Sequence, residues 1–308
     1  MYLNRSWLIV PLLLVATLSS PITPAEVSSL AVPPKAFLAD VDNYVLNSSV
    51  HQDRQYQISV ALPITYKDSN QSYPVLYSLD ANGEFGIIAE TARILAMGKE
   101  VPELIVVGIG YPTGGRFLYS VKYRTLDYTP TVDEKWLAKE KSRGLPELLI
   151  PAGTGGAPKF LQFIRKQLIP HIEKKYRVKS DDRVLLGLSL GGLFTTYALF
   201  QGDGLFQRFV IGSPSLWWQD RVMFNVEEEY AQTHKSLPAR VFISVGSDED
   251  KYNDDDEQTV SPFKEFVKVL EKRNYANFKW ESHLFEGETH VSFVPATISR
   301  GLRRIYAK

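Results

Sequence analysis

Residues 184–193 read VLLGLSLGGL, and this stretch decides how the rest of the chain is interpreted. An apolar run stops at Gly187, Ser189 stands between Gly187 and Gly191, and apolar sequence then resumes. The pentapeptide fits G-x-S-x-G, in which a serine occupies a tight turn between a strand and a helix. Glycines are expected on either side because side chains there would collide with the neighbouring strand and helix. The pattern predicts a nucleophilic Ser189 that stands clear of a sheet; the alternative is a purely structural turn.

Short apolar runs on both sides of this turn predict a mostly parallel β-sheet. Continuous apolar runs are typical of strands that are buried on both faces. They occupy residues 74–80, 104–111, 183–189, 208–215 and 240–247, while residues 54–63 alternate as a half-buried antiparallel strand does. Helical patterns cover residues 85–97, 158–176, 193–201, 261–274 and 295–306. Alternating strands and helices predict an α/β fold with helices on both faces of the sheet.

The chain shows no internal repeat and no low-complexity linker, so residues 26–308 are predicted to form a single domain. Residues 112–158 carry PTGG and PAGTGGAP near their ends and no clear periodicity. A long insertion marked by glycine and proline is often a binding loop or lid. We therefore expect an irregular substrate-binding insertion there.

Composition narrows the partners that the protein could have. The 308 residues include 35 basic and 35 acidic side chains, so the formal net charge is zero. A neutral chain gives no electrostatic reason to expect nucleic acid or an anionic membrane as partner, which favours a small-molecule ligand. The chain contains no cysteine, which excludes disulfides, thiolate metal sites and a cysteine nucleophile.

The first 25 residues have the pattern of a cleavable signal peptide. Arg5 precedes an apolar stretch over residues 7–18, and the small residues Thr23 and Ala25 are placed for cleavage after Ala25. About 12 apolar residues are fewer than the roughly 20 that span a bilayer, although an uncleaved anchor is the alternative. The pattern predicts a periplasmic or secreted protein without stable membrane association after cleavage.

A serine nucleophile needs a base, and His290 is the favoured candidate among five histidines. His290 lies in a glycine-containing loop between the last predicted strand and the last helix, where sites of parallel sheets form. His283 is the alternative, although it lies within a predicted strand. The remaining histidines, His51, His171 and His234, precede the turn or lie in helix and loop sequence.

The third member of a triad should be a carboxylate after the strand that precedes the histidine strand. Asp248, Glu249 and Asp250 follow one another there, and their spacing does not choose among them. The order serine, acid, histidine is that of the α/β-hydrolase fold. The acidic stretch 248–257 is otherwise interpreted as a solvated turn, since it lacks the spacing of a calcium loop.

An ester-cleaving serine also needs two backbone N–H groups that bind the developing oxyanion. The amide of Leu190 directly follows the nucleophile. The second amide should come from the loop after residues 75–80, VLYSLD, where Ala81, Asn82 and Gly83 are available and Asn82 is favoured. A simple turn is the alternative interpretation of that loop.

With these residues in place, the chain resembles the putative-esterase family of α/β hydrolases, and within it the siderophore-esterase branch. The family includes enterochelin esterases, feruloyl esterases, human esterase D and the mycolyltransferases. The resemblance runs from about residue 56 to residue 305 and is carried by YPVLYSLDANGEF, YRTLDYTPT, GGAPKFLQFIRKQLIPHIEKKYRV, RVLLGLSLGGLFTTYALF, IGSPSLWW, VGSDED and GETHVSF.

The resemblance implies Ser189 as nucleophile, His290 as base and Asn82 as oxyanion donor. It points to Glu249 as the acid, with Asp248 as the alternative, although some siderophore esterases work without an acid. It also implies that Arg124, Trp217 and Trp218 line the substrate pocket. The alternatives are a surface ion pair for Arg124 and core packing for the two tryptophans.

The sequence therefore predicts an exported serine esterase that acts through an acyl-enzyme, on a siderophore or aryl ester. Arg116, Lys122 and Arg124 suit an anionic or catecholate ligand. An acyltransferase with the same triad and a noncatalytic binding protein on a hydrolase fold are the alternatives. No cofactor and no metal are expected, because no histidine pair has the spacing of metal ligands.

Overall fold

The computed structural model describes residues 41–51, 54–114, 116–251 and 257–307. These residues belong to one compact unit, Leu38–Lys308. The predicted signal peptide, residues 1–25, lies outside the described residues. The domain boundary at residue 26 lies outside them too and stays a prediction.

A single eight-stranded sheet organises the described part of the chain, with strand order β1-β2-β4-β3-β5-β6-β7-β8. The pairs β1–β2 and β2–β4 are antiparallel, and the remaining pairs are parallel. The strands are β1 (Val41–Asn47), β2 (Gln55–Ala61), β3 (Tyr73–Ser78), β4 (Ile105–Gly110), β5 (Val178–Leu188), β6 (Arg208–Gly212), β7 (Ser236–Gly246) and β8 (Ala276–Phe285). The sequence pattern did not reveal β1, which is an edge strand without a buried residue.

Helices connect the strands and cover both faces of the sheet. They are α1 (Ala81–Met97), α2 (Phe117–Tyr128), α3 (Glu134–Ser142), α4 (Ala157–Phe163), α5 (Ile169–Lys175), α6 (Leu190–Gln201), α7 (Trp218–Thr233), α8 (Val260–Arg273) and α9 (Val294–Tyr306). A π-helical turn, Ile164–Leu168, joins α4 to α5. Within the described ranges, no helix has the length and apolar character needed to cross a membrane.

Two hydrophobic layers hold the helices to the sheet. Alternating residues of one strand belong to opposite layers. Tyr77 shares its layer with buried residues of α4, α5, α6 and α8, whereas Leu76 shares its layer with buried residues of α1 and α9. Burying one such side chain contributes roughly 1.5–3 kcal/mol, and the central strands β3 and β4 are buried at every position. This double burial explains the continuous apolar runs. The structure confirms the predicted α/β-hydrolase fold, with a mostly parallel sheet and helices on both faces.

The insertion over residues 112–158 is not irregular, which corrects the prediction made for it. It contains α2, α3 and a 3₁₀ turn, Glu147–Leu149. The buried residues of α2 are Ser120, Thr125, Asp127 and Tyr128, so this helix buries mainly polar groups. A helix of this kind has no apolar stripe, and periodicity therefore does not detect it.

Candidate active site

The predicted catalytic residues lie at one end of the sheet, after the carboxyl ends of neighbouring strands. Ser189 follows β5, Ser213 follows β6, Glu249 follows β7 and His290 follows β8. Asp80 lies after β3, on the other side of β5. Parallel strands bring their carboxyl ends to the same edge, and residues distant in sequence meet there.

Ser189 occupies a strained turn between β5 and α6. Its backbone has φ 59° and ψ −125°, a conformation that L-residues rarely adopt. The Ser189 N–H donates to the Gly212 carbonyl at 3.0 Å, which ties the turn to the end of β6. Ser189 is half-buried, and among the described residues its hydroxyl makes no hydrogen bond.

The glycines around Ser189 permit this turn, although not in the way predicted. A Cβ on Gly187 would lie 2.3 Å from the Gly191 carbonyl oxygen, so a side chain is excluded there. A Cβ on Gly191 would have Asp80 Oδ2 as its nearest neighbour, at 3.3 Å, which is tight but not a collision. The second strict requirement falls on Gly192, where a Cβ would lie 2.6 Å from the Gly212 carbonyl oxygen. The prediction placed this constraint one residue too early.

His290 contacts Glu249 directly. Its Nδ1 lies 2.7 Å from Glu249 Oε2, and Glu249 is fully buried whereas the imidazole is partly exposed. A neutral imidazole that donates its Nδ1–H to a carboxylate presents Nε2 as the proton acceptor. The contact has the geometry expected of a base and its orienting acid.

Ser213 joins this pair, and sequence analysis did not identify it. The Ser213 hydroxyl donates a short hydrogen bond to Glu249 Oε2 and lies 3.2 Å from His290 Nδ1. Ser213 has φ 43° and is fully buried. It follows Gly212, the acceptor of the Ser189 N–H, so it links the serine turn to the histidine. A polar residue at positive φ directly after a buried strand is unusual, but the sequence does not display φ.

The three successive carboxylates after β7 have different partners. Glu249 accepts the Gly246 N–H at 2.7 Å through Oε1 and contacts His290 through Oε2. Asp248 instead binds Lys251 Nζ at 2.6 Å, and this hydrogen bond lowers the pKa of Asp248. Asp250 accepts the N–H groups of Thr259 and Val260 at the start of α8. Glu249 is thus the carboxylate that the fold turns toward His290.

His283, the alternative base, lies elsewhere. It pairs with Ser244 in the register of β7 and β8, and its Nδ1 is 2.9 Å from Arg300 Nη1. Burial, and then the charge of Arg300, lower the pKa of His283. His283 is thus engaged by Arg300 within β8, whereas His290 lies in the loop that follows β8.

The two predicted oxyanion donors lie in the first turns of two helices. Leu190 is the first residue of α6, and Asn82 is the second residue of α1, which begins four residues earlier than predicted. The first N–H groups of a helix have no acceptor within it, so they are available to an anion. The Asn82 side chain clamps the Tyr111 backbone, since Oδ1 accepts the Tyr111 N–H and Nδ2 donates to its carbonyl, both at 2.7 Å.

Arg124, predicted to contact substrate, forms a buried ion pair with Asp80. Its Nε and Nη2 each lie 2.7 Å from one carboxylate oxygen of Asp80, and the side chains are 11% and 1% exposed. Burial alone would lower the pKa of Arg124, but the Asp80 carboxylate outweighs burial and raises it. The pair is therefore not the surface ion pair considered as the alternative.

The two tryptophans differ. Trp218 is fully buried, packs edge-on against Trp136 at 5.1 Å and donates from Nε1 to Thr131 Oγ1 at 3.2 Å. It offers a ligand no surface, which corrects the prediction that it lines the substrate pocket. Trp217 is partly exposed, and its contact with substrate stays a prediction.

Comparison with known proteins finds a matching family and several similar chains. The family described as Putative esterase matches residues 49–298. The ferri-bacillibactin esterase BesA of Bacillus subtilis is 32% identical over 262 residues, which cover 83% of this chain and 86% of that protein. The BES protein of Bacillus cereus superposes with a TM-score of 0.76 at 31% identity, covering 90% of this chain and all of that one (100%). An IroE-like serine hydrolase of Shewanella oneidensis gives a TM-score of 0.73 at 27% identity, with coverages of 86% and 80%.

Proposed function

The chain belongs to the putative esterase family and is an ester-hydrolysing enzyme, and we propose that it works as a serine esterase through an acyl-enzyme intermediate. One observation carries the proposal. Ser189 occupies a strained strand-to-helix turn at the same end of the sheet as a His290 whose Nδ1 is held by the buried Glu249. This combination activates a serine in hydrolases of several unrelated folds.

In the first half of the reaction, Ser189 Oγ attacks the carbonyl carbon of the ester and its proton passes to His290 Nε2. The Glu249 carboxylate stabilises the imidazolium that forms. The tetrahedral intermediate carries a negative oxygen, which the Asn82 and Leu190 N–H groups bind. His290 then gives its proton to the leaving alkoxide, and an alcohol departs as the C–O bond breaks.

In the second half, water replaces the alcohol. His290 Nε2 takes a proton from the water as its oxygen attacks the acyl carbon. Collapse of the second tetrahedral intermediate breaks the bond to Ser189 Oγ, which recovers the proton from His290. The carboxylic acid leaves, and no cofactor or metal takes part in these steps.

We propose a siderophore ester as the substrate. BesA is described as a ferri-bacillibactin esterase, and it aligns with 83% of this chain. Arg116 and Lys122 are exposed or half-buried residues of the insertion that follows β4, and cations of this kind suit the anionic oxygens of catecholate ligands.

We also propose that the enzyme is exported, with residues 1–25 as a cleaved leader and the mature protein in the periplasm or outside the cell. Sequencing the amino terminus of the protein recovered from the producing cells tests this. A mature terminus at residue 26 supports export, and an intact residue 1 on a cytosolic protein contradicts it.

The serine mechanism is tested by labelling the purified protein with a fluorophosphonate probe and measuring phenyl acetate turnover. Labelling and turnover should both vanish in Ser189→Ala. A wild-type protein that neither labels nor turns over would overturn the mechanism. A panel of catecholate siderophore, feruloyl and lipid esters then tests the substrate class, with the highest kcat/KM expected for the siderophore.

A further inference from the structure

Helix α2 braces the loop that carries one oxyanion donor. On the basis of the proposed function, we propose that Arg124 is a positioning residue, which holds the Asn82 N–H in place through the Asp80 carboxylate. Arg124 would then act on every ester that the enzyme cleaves, including esters too small to reach it.

The first support is the geometry of the ion pair. Asp80 precedes Asn82 by two residues and has φ 51°, a left-handed conformation that an aspartate adopts at some cost. Arg124 grips both oxygens of its carboxylate in a two-pronged arrangement, with both distances 2.7 Å. Such paired bonds fix orientation as well as distance. They hold the backbone at the start of α1.

Two further contacts from α2 reach the same loop. One helical turn beyond Arg124, the Tyr128 hydroxyl accepts the Asp80 N–H at 3.1 Å. Asp127 accepts the Tyr111 hydroxyl at 3.0 Å, and the Tyr111 backbone is the group clamped by the Asn82 side chain. The helix therefore holds Asp80 directly and Asn82 through Tyr111.

The ion pair also lies beside the second oxyanion donor. A Cβ built on Gly191, the residue after Leu190, would be 3.3 Å from Asp80 Oδ2. Asp80 is thus packed between the starts of α1 and α6, the two helices whose first amides face the anion. Burial, and then the Asp80 charge, raise the pKa of the neighbouring Glu84 well above its usual range. Asp80 is the carboxylate that pairs directly with Arg124.

Arg124 has little left to offer a ligand. Its side chain is 11% exposed, and two of its three nitrogens are engaged by Asp80. The two roles, ligand binding and positioning, lead to opposite expectations for how a variant of Arg124 hydrolyses a small neutral ester. Phenyl acetate carries no catecholate and no charge, so losing a ligand contact would leave its hydrolysis unchanged, whereas losing the brace would slow it.

The test compares wild type, Arg124→Met and Ser189→Ala on phenyl acetate. Removing a whole oxyanion donor costs about 10²–10³ in kcat, so a displaced donor should lower kcat about 10- to 100-fold. KM should change less than about threefold, because the donor acts on the transition state. Affinity for a trifluoromethyl ketone, which forms the tetrahedral adduct, should fall with kcat, and affinity for the product acid should not.

Arg208→Met is the matched control. Arg208 pairs with Asp182, with Nε 2.7 Å from Oδ1, at the amino end of β6 and away from the site. It should lose thermal stability and keep kcat. If Arg124→Met does not fold, Asp80→Asn removes the charge of the acceptor at nearly constant shape, and its kcat should fall in the same range.

The outcomes separate the two proposals. Turnover in the wild type that Ser189→Ala abolishes supports the serine mechanism whatever Arg124 does. If turnover of phenyl acetate is shown to need Ser189, a kcat of Arg124→Met within twofold of wild type on that ester overturns the positioning role. Loss of catecholate ester hydrolysis in the same variant would then point to a ligand contact instead. A wild-type enzyme without turnover overturns both proposals.

Discussion

Replacing Ser213 by alanine or by glycine separates two properties of this residue, its hydroxyl and its left-handed backbone. The hydroxyl donates to Glu249 Oε2, the same oxygen that faces His290 Nδ1. The backbone has φ 43°, where an L-residue is strained and glycine is not. Both variants lose the hydroxyl, but only glycine relieves the backbone.

General values for such contacts set the size of each effect on the free energy of unfolding. A hydrogen bond to a charged group contributes about 1.5–3 kcal/mol, and Ser213→Ala should lose that amount. Ser213→Gly loses the same bond, but recovers roughly 1 kcal/mol of left-handed strain. The glycine variant should therefore unfold about 2–4 °C above the alanine variant. Activity depends on the hydroxyl alone, so both should lose kcat about tenfold, which corresponds to about 1.4 kcal/mol of transition-state stabilisation.

The assay measures thermal unfolding and phenyl acetate kcat for both variants. Ser236→Ala is the control, since its hydroxyl bonds the Ala276 carbonyl at the amino end of β7, and it should keep full kcat. Full kcat in Ser213→Gly would refute the role of the hydroxyl. Equal unfolding temperatures of the two variants would refute the assignment of strain to φ.

Three other perturbations have definite expected results. Glu249→Gln puts an amide NH₂ among the three donors that face Glu249, which belong to Ser213, Gly246 and His290. The kcat should fall at least about 100-fold. A loss under threefold would show that the serine and the histidine suffice without the acid. Burial raises the pKa of Asp127 from 3.8 to about 6 despite its bonds to Arg54 and two tyrosines, so the folded state holds this proton more tightly than the unfolded chain does. The resulting stabilisation is complete below about pH 4 and is lost as the pH rises through about 6. Urea unfolding should therefore show the stability of wild type relative to Asp127→Asn falling by about 3 kcal/mol across that range. A difference that stays constant with pH would contradict the raised pKa of Asp127. Gly192→Ala places a Cβ against backbone and should destabilise the protein by about 1–3 kcal/mol. Gly86→Ala in α1 has open space around the new Cβ and should stabilise the protein by about 0.5–1 kcal/mol. Equal unfolding temperatures of the two variants would contradict the steric explanation.

Local patterns were enough to predict the central strands of the sheet and the strand-to-helix turn at Ser189. Strands β3 and β4 are buried on both faces, and that environment admits little but apolar residues, so the runs are visible in the chain. The turn at Ser189 needs glycine within a few residues, so its signature is also local. The first turn of α1 was missed because DANG has the composition of a simple turn, and α2 because it buries mainly polar groups.

The choice among Asp248, Glu249 and Asp250 depended on the tertiary structure. All three carboxylates follow β7, and only the path of the backbone turns Glu249 toward His290, 41 residues further on. Ser213 and the pair of Arg124 with Asp80 are similar cases, since each contact joins residues that are far apart in sequence. Hydrophobic burial acts on each segment separately and leaves a periodic pattern in the chain. A hydrogen bond between distant residues depends on the positions of both partners, and those positions exist only in the folded protein.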